Sequence, residues 1–137
     1  MLPLRDHMKI ISLIGLKKCG KTTTAENLIK EFKYRGYRVG SVKFMPNSRM
    51  DLDMEGKDTW RHRQAGSEFI ISLSKGEIGL IKDVKGRASM DDAMELVPEG
   101  IDYLICEGYN SNDPNIVKIL CARDATLLEE TKQIRDV

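Results

Sequence analysis

The eight residues Gly15-Leu16-Lys17-Lys18-Cys19-Gly20-Lys21-Thr22 satisfy the spacing G-x-x-x-x-G-K-[ST] in full. A backbone that wraps a phosphate with its own N–H groups needs glycine where it turns tightly against the anion, and Gly15 and Gly20 stand at those places. A helix opening directly behind the loop would add the positive end of its dipole. Lys21 would then reach the β- and γ-phosphates of a nucleotide, and the Thr22 hydroxyl would complete a magnesium shell. By composition alone the pattern arises in roughly one such chain in 200. The plainer alternative is a glycine-rich turn that only caps a helix. Thr23 follows in the same turn. Lys17 and Lys18 add charge near the phosphates, unless they are simply solvated. Cys19 stands where a helix N-terminus can make a thiol redox-sensitive, although a small residue filling a tight loop is the simpler role.

A site of this kind also needs a carboxylate at the end of a neighbouring buried strand, to hold magnesium directly or through water. The run Ile101-Asp102-Tyr103-Leu104-Ile105-Cys106-Glu107-Gly108 supplies one. Glu107 ends it, and Gly108 permits close approach to a γ-phosphate. The competing reading of Glu107 is a strand end at the surface. Asp51, Asp53 and Asp58 surround Gly56-Lys57, where clustered carboxylates could bind magnesium, position water or change shape with the γ-phosphate. Alone they would make a solvated acidic turn. Trp60-Arg61-His62-Arg63 has the look of a nucleic-acid patch, but one aromatic in a nearly neutral chain argues against that partner. His7 and His62 have no second histidine at metal-ligand spacing.

The elements that must position these groups read from the apolar periodicity. Ile10 to Ile14 is a short β-branched run ended by Gly15, a buried strand. Ala25, Leu28, Ile29 and Phe32 share one helical face, with Gly36 at the expected C-terminal cap. Val39 to Phe44 is a second strand, so the first 44 residues form a parallel β-α-β unit. Met45 to Gly56 reads as a loop, and a short helix follows from Asp58 to Ala65, stopped by Gly66. Phe69 to Leu73 and Ile78 to Val84 flank Ser74-Lys75-Gly76-Glu77 as a hairpin. Ser89 caps a helix to about Glu99, Tyr103 to Cys106 and Ile116 to Cys121 are further strands, and Thr126-Leu127-Leu128-Glu129 has capping-box spacing for a last helix. The expected fold class is α/β: a three-layer P-loop fold, mostly parallel sheet with helices on both faces and an antiparallel hairpin.

The 137 residues suit a single nucleotide-binding domain spanning 1–137. A net charge of +1 supplies no global field for nucleic acid or an anionic membrane. The three cysteines include no C-x-x-C pair, which argues against a disulfide framework and a zinc site and suits a reducing compartment. No apolar run approaches a membrane span, and no signal-peptide core precedes the first strand, so a cytoplasmic protein is expected.

Together, the segments Gly15 to Thr23, Asp51-Leu52-Asp53-Met54-Glu55-Gly56-Lys57-Asp58-Thr59, Arg61-His62-Arg63-Gln64-Ala65-Gly66 and Glu107-Gly108-Tyr109 resemble the molybdopterin-guanine dinucleotide biosynthesis adaptor protein B family (MobB). The resemblance runs from about Lys9 to Leu120. Its D-x-D-x-x-G-K-D-[ST] stretch, followed by R-x-x-x-A-G, is far more specific than the phosphate loop. It implies a homodimer that binds GTP with Mg2+, hydrolyses it slowly, and assists the molybdenum cofactor nucleotidyltransferase that joins a guanine nucleotide to molybdopterin. Carried over, Lys21 and Thr22 serve phosphate and magnesium, Asp53 and Glu107 the metal or catalytic water, and Lys57-Asp58 a switch-like loop. Three departures stand out. Lys43 is followed by Phe44-Met45-Pro46 rather than by histidines, Asn110 stands where the family often has lysine, and the family usually continues beyond the position of Val137. No N-K-x-D motif reads the base, so Arg123-Asp124 is the candidate for guanine recognition. The plainer reading, and the one slightly favoured, is that Asp124 caps the last helix. A small-molecule kinase and a pure nucleotide-dependent switch remain alternatives, although no Arg-rich lid segment favours the kinase.

Overall fold

The computed structural model describes residues 7–16, 18–45 and 57–123. Along them run β1 (Lys9–Ile14), α1 (Lys21–Tyr34), β2 (Val39–Lys43), α2 (Asp58–Gln64), β3 (Phe69–Ser74), β4 (Glu77–Lys82), α3 (Met90–Leu96), β5 (Tyr103–Glu107) and β6 (Val117–Leu120). The expectations for Lys17, for Asp51 and Asp53 in the 46–56 stretch, for Asp124 and for the last helix lie outside the described residues. The elements divide into two units, one holding β1, α1, β2, α3, β5 and β6, the other α2, β3 and β4. None of the described helices is long and apolar enough to cross a membrane.

The first unit is a four-stranded parallel sheet in the order β2-β5-β1-β6. The two central strands, β1 and β5, are apolar and buried along most of their length because both faces are covered, and the alternation of a strand sorts their side chains between two cores. Ile10, Leu104 and Cys106 face α3, whose Met90 and Met94 bury against them. Ile11, Leu13 and Ile105 face the other way, under Ala25, Leu28, Ile29 and Phe32 of α1. Helix, sheet and helix make the expected three layers. Full burial of side chains such as Leu13 and Leu104 is worth about 1.5–3 kcal/mol each. Burial also pushes the Cys106 thiol up to about 12, so that sulfur is neutral and inert.

Gly36 ends α1 as its position predicts. Its φ of +86° lets its N–H reach Lys33 O while the Tyr37 N–H reaches Phe32 O, both at 3.0 Å. The Phe32 and Tyr37 rings pack edge to face across that cap, and Phe32 also stacks on Tyr103 at 4.0 Å. The entry to β5 is tied to the approach to β2. Arg38 N–H donates to Asp102 Oδ2 at 2.7 Å, and Asp102 N–H donates back to Arg38 O at 2.8 Å.

In the second unit β3 and β4 pair antiparallel from Phe69↔Lys82 to Ser74↔Glu77, leaving Lys75-Gly76 as a two-residue turn. Arg63 of α2 bridges to Asp83 at 2.5 Å. Several boundaries depart from expectation. The third helix stops at Leu96 rather than Glu99, because Pro98 has no N–H to donate and disfavours helical backbone at Val97. Strand β4 ends at Lys82 rather than Val84, its last rung being the Asp83 N–H on Glu68 O, where β3 has no more residues to offer. Strand β2 ends at Lys43 rather than Phe44, whose ring turns to stack on Tyr109.

Candidate phosphate and metal site

Strand register decides what surrounds the loop. Leu13 of β1 is level with Glu107 of β5, and Ile14 with Leu120 of β6. The Gly108 N–H donates to Leu13 O at 2.9 Å and the Cys121 N–H to Ile14 O at 2.8 Å. Gly15 therefore begins where both neighbouring strands end. This is the crevice at the carboxyl edge of a parallel sheet where ligands of α/β folds bind.

The backbone leaves β1 through Gly15 at φ +154°, passes Lys18 at φ +57° and enters α1 from Gly20 at φ +90°. Only glycine fits the first position: a Cβ there would stand 2.6 Å from Cys19 Sγ and closer still to the Cys121 carbonyl oxygen. Helix α1 runs for 14 residues with no acidic side chain in its own first turn, and its positive end faces the loop. Lys21 opens that helix and bends back over the loop. Its Nζ donates to Gly15 O at 2.8 Å and Leu16 O at 2.9 Å, with Cys19 Sγ at 3.7 Å. One residue on, Thr22 Oγ1 donates to Glu107 Oε1 at 2.7 Å. A hydroxyl from the start of α1 and a carboxylate from the end of β5 thus meet beside the lysine.

Behind Glu107 the chain is held firmly. Gly108 turns it at φ +88°, and the buried Ser12 hydroxyl donates to the Tyr109 carbonyl. The Phe44 ring stacks on Tyr109 at 4.9 Å, and the Phe44 N–H donates to Glu107 O at 3.0 Å.

Of the site residues read from sequence, Gly15, Cys19, Gly20, Lys21, Thr22, Glu107 and Gly108 come together here. Lys18 and Thr23 are exposed on the same loop and first turn. Lys57 and Asp58 belong to the second unit, at the start of α2. His7 and His62 are exposed. Among the described residues no three His, Cys, Asp or Glu side chains gather as a metal cage. Ser12, Thr24 and Cys121 are neighbours of the loop that no motif announces. Thr24 Oγ1 donates to Gly20 O at 2.9 Å and lies 3.9 Å from Cys121 Sγ. Only the β1–β6 register could have revealed the last of these.

A family model described as molybdopterin guanine dinucleotide synthesis protein B matches residues 10–136. The molybdopterin-guanine dinucleotide biosynthesis adapter protein of Haemophilus influenzae is 28% identical over 135 residues, covering 98% of this chain and 72% of the relative. Its Escherichia coli counterpart is 31% identical over 123 residues, covering 88% and 69%. The crystal structure of Bacillus subtilis MobB superposes with a TM-score of 0.69 at 21% identity, over 90% of this chain and 73% of that one. The fold and the family agree with the loop and strand-end geometry, and the chain belongs to the molybdopterin guanine dinucleotide synthesis protein B family.

Proposed function

We propose that the chain binds GTP with magnesium at the loop Gly15 to Thr22, hydrolyses it slowly, and acts as a homodimeric cytoplasmic adapter for the nucleotidyltransferase that completes the molybdenum cofactor. The observation that carries this reading is the Thr22–Glu107 contact beside Lys21. Two oxygen groups 85 residues apart meet next to the lysine at the positive end of a helix. Magnesium favours such hard oxygen donors and is commonly held by one or two protein groups, phosphate oxygens and water rather than by a protein cage. Thr22 and Glu107 would hold it, and the bound ion would neutralise charge on the β- and γ-phosphates. Lys21 would exchange its loop carbonyls for phosphate oxygens. Asp53, by family resemblance, would help to orient water. The dimer is supported by the hairpin: Phe69, Ile71, Leu73 and Ile78 share one face and are 52–76% exposed, an apolar surface of the kind protein partners cover.

The reading is tested by titrating GTP and ATP into the purified chain while light scattering follows its mass. The expected result is a dimer that prefers GTP by less than about tenfold, because phosphate contacts are common to both nucleotides and only groups such as Asp124 could discriminate. Asp124→Ala should remove that preference. Equal affinities in the unmutated chain would reject guanine selectivity, and a strict monomer would reject the dimer.

The metal assignment has its own measurement. Thr22→Val and Glu107→Gln should each weaken triphosphate binding by roughly 10- to 100-fold in magnesium and change it little in a chelator, since both act through the ion. An unchanged magnesium response in Glu107→Gln would remove the carboxylate from the site.

A further inference from the structure

Two cysteines reach the phosphate loop from distant parts of the chain. Cys19 lies in the loop itself, and Cys121 follows β6. Both are buried, and both belong to the apolar cluster between the sheet and α1. The point where a Cβ would stand on Gly15 has the Cys19 sulfur at 2.6 Å and the Cys121 carbonyl oxygen closer still, so both residues crowd the same glycine. Each sulfur also has a polar neighbour from the first turn of α1. Cys19 Sγ is 3.7 Å from Lys21 Nζ, and Cys121 Sγ is 3.9 Å from Thr24 Oγ1. Burial raises the Cys121 thiol above its ordinary value; the Thr24 hydroxyl beside it works the other way, and the nearness of Cys19 adds to the rise. The third cysteine, Cys106, lies in the core on the other face of the sheet.

We propose that Cys19 and Cys121 are a reversible dithiol–disulfide pair whose oxidation closes the phosphate loop to its ligand. The ligand half of this statement rests on the triphosphate reading above. A low-molecular-weight disulfide such as oxidised glutathione serves as oxidant. The Cys19 sulfur gives up its proton, attacks one sulfur of that disulfide and releases the first glutathione thiol. The Cys121 sulfur then gives up its proton, attacks the mixed disulfide and releases the second. The protein loses two electrons and two protons, and the oxidant leaves as two thiols. Gly15 and Gly20, on either side of Cys19, supply the backbone freedom to meet the narrow geometry of the bond. A phosphate cradle works only while its N–H groups converge on one anion. Tying the middle of the loop to the end of β6 turns one of them away.

The experiment equilibrates the full chain in reduced–oxidised glutathione mixtures. Peptide mapping by mass spectrometry then follows the cross-link, and a fluorescent GTP analogue reports affinity in each state. The expected result is a Cys19–Cys121 peptide, at least a tenfold weaker affinity when it is complete, and full recovery with dithiothreitol. Cys121→Ala should bind the analogue as the reduced chain does and stay insensitive to oxidised glutathione. Glutathione adducts without the cross-link would overturn the pair, and a cross-linked chain of unchanged affinity would overturn the gating. If the reduced chain does not bind the analogue, the triphosphate reading and the gating fail together, while the mapping still decides the disulfide.

Discussion

Lys21→Ala should lose triphosphate affinity by about 100-fold or more while the melting temperature stays within a few degrees of the parent. A lysine on a phosphate makes charge-assisted hydrogen bonds worth roughly 1.5–3 kcal/mol each, and Lys21 is expected to serve two phosphates. Its Nζ hydrogen-bonds to the loop, at Gly15, Leu16 and Cys19, and the side chain is not among the apolar groups that pack the sheet. Alanine at the first position of α1 is moreover a good helix former. Calorimetric titration with GTP, beside a thermal melt, separates the two effects. Unchanged binding of GTP and ATP would refute the phosphate site, whereas a collapsed melt would show that the lysine holds the loop itself together.

Gly15→Ala should do the opposite and damage the fold together with the site. The added Cβ would collide with the Cys121 carbonyl and with Cys19 Sγ at 2.6 Å, on a backbone at φ +154°. The Cys121 backbone is itself anchored on β1, its N–H bonded to Ile14 O at 2.8 Å, so the chain there cannot simply move away as a whole. Overpacking and backbone strain each cost about 1–3 kcal/mol, so a loss of about 3 kcal/mol is expected. For a chain of this size that is a fall of roughly 10 °C in Tm. Gly20→Ala is the comparison. A Cβ there meets nothing within 4 Å, and only its φ of +90° is unfavourable, so about 1 kcal/mol should be lost. Equal melting temperatures for the two variants would show that the Gly15 contacts relax away.

Local chemistry made much of this protein legible in its residues. The loop Gly15 to Thr22 is one contiguous stretch whose glycines, lysine and threonine match a phosphate-loop pattern by spacing alone. The face of α1 and its stop at Gly36 follow from a 3.6-residue period and a left-handed cap, both local properties. The β3–β4 hairpin follows from two apolar runs around Lys75-Gly76. The Glu107 carboxylate was legible as the end of an apolar run, because a parallel strand buried on both faces shows no alternation and stops where it meets water.

Tertiary structure alone decided which groups meet. Thr22 finds Glu107 only because β5, and not β2, lies beside β1 with Leu13 level with Glu107. Cys121 flanks Gly15 only because β6 takes the other side of β1. The Ser12 tether to Tyr109 and the Phe44–Tyr109 stack belong to the same class. The physical reason is common to all of them. A helix or hairpin answers to neighbours a few residues away, while parallel strands join segments far apart in the chain, and their order and register come from burying whole faces at once.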